Sequence, residues 1–429
     1  MTRRQFTAGA AAVAAAAVGN REASAASASQ GELHRLIAYV GSYKNGPTPG
    51  GGGVFSFEVG WDGSALTPLA RVTEPNDAGY LVYAANTHTL YVANEHKNDG
   101  RGPVDPPAAV HAFSVSQTDG GLTWLNSERT PGANPSYLSV AKERGALFAA
   151  THGGFDHIEH VVKSAEGTWG SEYLYDDSTV IMFDLETDGR IAAIRDLIAL
   201  EGHGNDPNTS PQVGGHAQAS AHAHCVVVDP SEGFAIVCDK GTDQIFVYRL
   251  GVTLEEASVF RTPDVTGPRH IVFDPKTSRA LMTCELSSEL MSFDFDATTG
   301  TLALLDKTST VADSFDGYNE PADLRLHPNG SFAYVNNRGE DSVAWFSVDE
   351  RGKLTRLGSV QLAKSVHPGL AARSFVLDPT GTFMLVADRP ANLVRSFAVN
   401  EHDGSLSPLT EISVPEPAFI VFAELPASA

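Results

Sequence analysis

Two histidines two residues apart, His222 and His224, open an apolar run at 225–228. On an extended strand residues i and i+2 share a face, so the pair is expected to point one way. Imidazole titrates near neutral pH and can move a proton; two on one face could also share a metal ion. His152, His157, His160, His203 and His216 precede them. Neither an H-x-x-x-H on a helix nor a close cysteine pair accompanies them, so no metal or other cofactor is expected. The alternative reading of a histidine at a strand mouth is a hydrogen-bonded structural residue. Arg269 and Glu285 likewise read either as site residues or as an ion pair between neighbouring strands, and Asp239 and Asp243 as turn residues.

The elements that must position these groups show in residues 220–250. The run 225–228 is followed by the turn-prone Asp229-Pro230-Ser231-Glu232-Gly233, a second run at 234–238, a polar Asp239-Lys240-Gly241-Thr242-Asp243 and an alternating run at 245–250. That is strand, hairpin, strand, polar loop, strand. If the hairpin pairs symmetrically, Cys225 faces Cys238, as a bridge or as two small buried hydrophobes, the reading preferred here. The plan recurs with first or second strands near 37, 80, 134, 267, 322 and 372, and units close on Asp62-Gly63, Asp119-Gly120, Asp188-Gly189, Gly352 and Asp403-Gly404. The pitch of roughly 45 to 55 residues from the fourth unit on corresponds to four short strands. The fold class is therefore all-β: a seven-bladed β-propeller of four-stranded antiparallel blades. The first unit lacks a first strand, while Pro417-Ala418-Phe419-Ile420-Val421-Phe422 is unpartnered and matches 268–273. The C-terminal strand is expected to join the first blade and close the ring, removing a sheet edge. First strands line a propeller's channel, so His224, Arg269, Asp323 and Arg373 are expected to meet at one mouth, under long loops at 153–177 and 201–221.

The net charge of −22 argues against nucleic acid, whose phosphates require Lys and Arg. Thr2-Arg3-Arg4-Gln5-Phe6, the Ala/Val stretch at 8–19 and Ala23-Ser24-Ala25 read as a twin-arginine export signal. The expected organisation is a leader at 1–30 and one propeller domain at 31–429, exported to the periplasm or beyond. No segment reads as a membrane span, which needs about 20 apolar residues.

Taken in order, Tyr39-Val40-Gly41-Ser42-Tyr43, Asn94-Glu95, Asn134-Pro135-Ser136-Tyr137, His222-Ala223-His224, Asp239 to Asp243, Gly267-Pro268-Arg269-His270, Glu285-Leu286, Asn337-Arg338-Gly339 and Asp378-Pro379-Thr380-Gly381 resemble the seven-bladed propeller lactonase family. That family includes bacterial 6-phosphogluconolactonases and the fungal carboxymuconate cyclase. The resemblance implies a small-molecule lactone as partner and a catalytic set of His224, Glu285, Arg269 and Arg338. His224 would be the base, the arginines would hold an oxyanion or a substrate carboxylate, and Glu285 would orient His224 or trade a proton. It also implies substrate contacts from His222, Gln218, Asn94, Glu95 and Asn134. Family members often carry Arg-Gln before the H-x-H; here Gln218 is kept but Ala217 replaces the arginine, which weighs against a phosphorylated substrate. The leading expectation is a secreted lactonase acting on a small sugar-type or carboxylated lactone. The alternatives are a carboxymuconate-type cycloisomerase, a non-catalytic ligand- or protein-binding propeller, and a metal- or cofactor-containing oxidoreductase. Oligomeric state is not legible.

Overall fold

The structure, a computed structural model, describes residues 34–97, 108–155, 157–205 and 218–427. The proposed leader, His216 and Ala217 lie outside the described residues. Among those described, seven four-stranded antiparallel sheets follow one another, each running from a buried inner strand to an exposed outer one. Blade 4 is representative: Ala223–Val228, Phe234–Asp239, Gln244–Leu250 and Leu254–Arg261. Its second strand is buried throughout, whereas its fourth is mostly half-buried or exposed. Each innermost strand touches that of the next blade, and that of blade 7 touches that of blade 1.

The clasp is as expected. Pro417–Pro426 pairs antiparallel with His34–Ser42 as the inner strand of blade 1, removing an open edge.

The recurring Asp-Gly turns latch the blades together. Tyr39 Oη donates to Gly120 O at 2.7 Å, Tyr91 Oη to Gly189 O at 2.8 Å, Tyr334 Oη to Gly404 O at 3.0 Å and Ser396 Oγ to Gly63 O at 2.7 Å. Each bond runs from one blade to the turn between the outer strands of the next, satisfying a buried hydroxyl. The turn glycines sit at positive φ, and a Cβ on Gly63 would come within 2.6 Å of the Phe383 ring, so glycine is required on both counts.

One reading needs adjustment and two hold. The segment expected as a loop at 153–177 contains a two-stranded ribbon, His157–Lys163 paired with Trp169–Tyr175. It is exposed on both faces, so neither strand has a buried side to leave an alternating signature. Cys225 and Cys238 do pair in register, and both are free buried thiols, as is Cys284. Asp239 and Asp243 do hold turns: Asp239 Oδ1 accepts from the backbone N–H groups of His222 and Gly241, and Asp243 Oδ1 from those of Thr266 and Gly267.

Candidate active site

Two strand positions that recur from blade to blade build one mouth of the channel. The first is a bulge near the start of the inner strand. In blade 4 Ala223 pairs with Asp239 and Cys225 with Cys238, leaving His224 unpaired; in blade 5 Pro268 pairs with Cys284 and His270 with Thr283, leaving Arg269. Ser136 and Gly79 are the equivalent residues of blades 3 and 2. A bulge re-aims the side chain it carries. The second position caps the second strand, and it supplies Tyr43, Glu95, His152, Lys240, Glu285, Arg338 and Arg389 from blades 1 to 7. All seven of these line a cavity of about 580 Å³, as do His224, Asn134, Ser136 and Arg373.

On the side formed by blades 4 to 6, three cations converge on one carboxylate. Lys240 Nζ lies 2.6 Å from Glu285 Oε1, Arg269 Nε 2.7 Å from Oε2 and Arg338 Nη2 2.9 Å from Oε2. Arg338 Nη2 is also 3.1 Å from Glu320 Oε2; it meets both acids at ion-pair distance but off the hydrogen-bond direction, and its Nε donates to Glu320 O at 3.2 Å. All five side chains are at most 4% exposed. Three positive charges against two negative leave the cluster net cationic, inside a chain of net charge −22. Burial pushes the Glu285 carboxyl upward, but Lys240, Arg338 and Arg269 outweigh it and hold the group well below the usual range. Burial, then the neighbouring Arg338, lowers Arg269 to about 10.

Behind this cluster Arg269 Nη1 donates to His270 Nε2 at 3.1 Å, so the His270 proton sits on Nδ1, facing Asp323 Oδ1 at 3.3 Å. Asp323 also pairs with Arg325 at 3.0 Å. Asp323, expected at the mouth, instead anchors the wall behind it.

His224 is held by ring contacts. It meets His152 and His270 edge-on, with centroids 5.6 and 5.2 Å away, and its buried Nδ1 has no hydrogen-bond partner among the described residues. Burial, followed by the charges of Arg269 and its neighbours, keeps the imidazole neutral by lowering its pKa well below the usual value. Glu285 does not orient it, because both carboxylate oxygens are engaged by cations.

The opposite side is built by blades 1, 2 and 7. Tyr43 Oη meets Glu95 and accepts from Arg373 Nη1 at 2.8 Å, and Arg389 lies over the Tyr43 ring at 4.6 Å while pairing with Glu416 at 2.8 Å. Lys97 pairs with Asp176 at 2.8 Å at the rim.

Of the residues expected at the site, His224, Glu285, Arg338, Glu95 and Asn134 line the cavity. Arg269 is 1% exposed and supports the wall from behind. The expected substrate contacts of Gln218, His222 and Asn94 do not match their placement. Gln218 Nε2 donates to Lys240 O at 2.9 Å, His222 Nδ1 lies 2.8 Å from His152 O, and Asn94 Oδ1 accepts from Asp77 N at 3.1 Å. The His222 ring stacks on His152 at 4.5 Å rather than sharing an open face with His224. Lys240, His152, Tyr43 and Arg389 were missed, and the signal that finds them is their common place after each second strand. Among the described residues no group of three or more His, Cys, Asp or Glu side chains is arranged to hold a metal ion.

The buried histidines set an acid limit on stability. Burial lowers His222 and His111 to about 4 and His270 to about 3. Between those values and the ordinary 6.5 the unfolded chain binds protons that the folded chain does not, so stability falls as pH drops through that window. Asp239, raised to about 6 by burial, acts in the opposite sense between about 4 and 6. Burial lowers His152 and His224 as well, and raises Asp378 and Asp388 as it does Asp239. With five histidines against three aspartates, urea midpoints are expected to fall from pH 6.5 to pH 4.5, and a midpoint unchanged or higher at pH 4.5 would contradict this.

The family described as "Lactonase, 7-bladed beta-propeller" matches residues 37–422. The chain is 27% identical over 395 residues to the 6-phosphogluconolactonase of Bacillus subtilis, covering 91% of this chain and 99% of that one. It is 24% identical over 381 residues to the 6-phosphogluconolactonase of Formosa agariphila, covering 87% and 95%. The solved structure of the periplasmic gluconolactonase of Pseudomonas aeruginosa superposes with a TM-score of 0.74 at 25% identity, covering 91% of this chain and 99% of that one.

Proposed function

Because the chain belongs to the seven-bladed β-propeller lactonase family, we propose that it hydrolyses a small lactone in the cavity at the channel mouth, with His224 as the base. The observation that carries this reading is the pairing of a neutral imidazole with a net cationic cluster on one wall of a cavity of about 580 Å³. That volume suits a small molecule.

The chemistry follows from those groups. Neutral His224 takes a proton from water as its oxygen bonds to the lactone carbonyl carbon. The carbonyl electron pair moves onto oxygen, and the cationic wall stabilises that oxyanion. Collapse re-forms the carbonyl and breaks the ring C–O bond. The departing alkoxide takes the proton back from His224, giving the open hydroxy acid. A propeller that only binds a ligand would fit an open apolar mouth with Arg269 and Glu285 neutralising each other; here Lys240 and Arg338 share Glu285 and the mouth is polar.

The relatives' printed names cover 6-phosphogluconolactone and gluconolactone chemistry. For this chain we favour an unphosphorylated sugar-type or carboxylated lactone, met after export through the twin-arginine-type leader. Support comes from the cations that line the cavity: Arg389, Lys97, Arg338, Lys240 and Arg373 are each paired with a carboxylate, so a phosphate dianion would compete with an acid at every one of them. The test is pH-stat acid release from glucono-lactone, its 6-phosphate and a carboxylated butenolide. The unphosphorylated lactones should be cleaved with the higher kcat/KM; a preference for the phosphate ester would overturn the substrate reading, and no acid release from any member would overturn the activity.

A further inference from the structure

We infer that Lys240 is the electrophile of this site, the group that donates to the carbonyl oxygen as it becomes an oxyanion, and that Arg269 and Arg338 are positioning residues. This rests on the lactonase reading and assigns a role that the arginines would otherwise take.

The argument is one of donor accounting. Arg269 is 1% exposed, does not line the cavity, and directs Nε at Glu285 and Nη1 at His270. Arg338 also lines the cavity, but two acids hold its guanidinium where one holds Lys240: Nε donates to Glu320 O, and Nη2 lies buried between Glu285 and Glu320 at ion-pair distance from both, without a hydrogen bond. Lys240 lines the same cavity as His224, and among the described residues its ammonium has one hydrogen-bond partner, Glu285 Oε1 at 2.6 Å. An ammonium carries three N–H donors, so Lys240 retains donors for a ligand. The Phe155 ring, 5.3 Å from Nζ, covers it with carbon rather than an acceptor.

The ammonium is also fixed in place. Lys240 N donates to His222 O at 3.2 Å and Lys240 O accepts from Gln218 Nε2 at 2.9 Å. The preceding Asp239 ties down the turn through His222 N, Gly241 N and Thr242 Oγ1. A donor held before the reaction needs no reorganisation as charge develops, which is the condition under which one hydrogen bond contributes most to rate. Arg269 and Arg338 hold the other oxygen of the carboxylate that aims Lys240, and so act through it.

The test compares kcat and KM of wild type, Lys240→Met, Lys240→Arg and Lys240→Cys on the best lactone of the panel, with the Cys variant assayed before and after alkylation by 2-bromoethylamine. Cys225, Cys238 and Cys284 are buried and do not line the cavity, whereas residue 240 does, so the new thiol is the one a reagent entering the cavity meets. Loss of an oxyanion donor should lower kcat by about 10²–10³-fold with KM changed far less. Aminoethylation, which rebuilds an ammonium at nearly the same reach, should restore at least tenfold of the loss. A lysine that only balances Glu285 predicts lower thermal stability with kcat within threefold of wild type, and that result overturns the inference. If Lys240→Met does not fold, Lys240→Arg decides: it keeps the charge beside Glu285 but moves the donors, so its kcat should fall at least tenfold, and a wild-type kcat overturns the inference. Wild type without activity on any lactone sinks the lactonase reading itself, and is thereby distinguished from active wild type with an indifferent Lys240.

Discussion

Glu285→Gln is expected to cost this protein more stability than any other single change at the site. The carboxylate is 2% exposed and faces Lys240, Arg269 and Arg338, which are as deeply buried. The amide keeps the shape and removes the charge, leaving three cations with Glu320 as the remaining partner of one of them. Removing one member of a buried ionic cluster typically costs about 3–5 kcal/mol, because the partner charges stay desolvated without compensation. A urea titration should show the midpoint falling with an unchanged slope. Deleting one orphaned cation as well should return part of the loss: Arg269→Met combined with Glu285→Gln should lie above the sum of the single effects, with a coupling of about 0.5–3 kcal/mol. Additive single effects would mean that the cluster is not held by its charges. Lactone hydrolysis should fall in the single variant too, since the carboxylate aims Lys240.

The fold was legible because a propeller repeats its instructions. Period-2 strands, an Asp-Pro or His-Pro stop and an Asp-Gly turn return in successive units, and the glycine carbonyl in that turn has a structural task, the latch from the preceding blade. The clasp was legible because 417–422 matches an inner strand and had nothing else to pair with. The ribbon at His157–Lys163 and Trp169–Tyr175 was not, since exposure on both faces leaves no amphipathic pattern. At the site, attention to the starts of first strands found His224 and Arg269 but supplied the wrong geometry for the histidine pair. The bulge at His224 breaks the two-residue period on which a shared face for His222 and His224 depends. Lys240 was hidden because Asp239, Gly241 and Asp243 make its surroundings read as a turn, and the turn is real. What the sequence pattern does not convey is that the residue after each second strand projects into the channel mouth, a consequence of ring closure rather than of local spacing.

His224→Ala is expected to remove most of the hydrolytic rate while leaving the protein folded. General-base catalysis is worth about 10²–10⁴-fold, and kcat/KM should fall within that range. Stability should change little by comparison, because the imidazole is neutral and its Nδ1 has no hydrogen-bond partner among the described residues to be orphaned. Its contacts with His152 and His270 are ring edges, and their loss leaves no buried charge behind. The pH profile separates a base from a packing residue. Burial first, then the charges of Arg269, His270, His152 and Lys240, hold His224 well below the ordinary imidazole value of 6.5. The deprotonated ring is the active form, so wild-type kcat/KM should be flat through neutrality, with its acid limb below pH 6.5. In His224→Ala that limb should vanish and added imidazole should restore part of the rate. An unchanged acid limb in the variant would move the base elsewhere, and among the described residues the other imidazoles lining the cavity are His152, whose Nδ1 is 3.0 Å from Gly153 O, and His96, whose Nδ1 is 3.8 Å from Asp77 Oδ2. A double variant would then lose what the single one kept, and the site would still be the mouth of the same channel with the proton on a different blade.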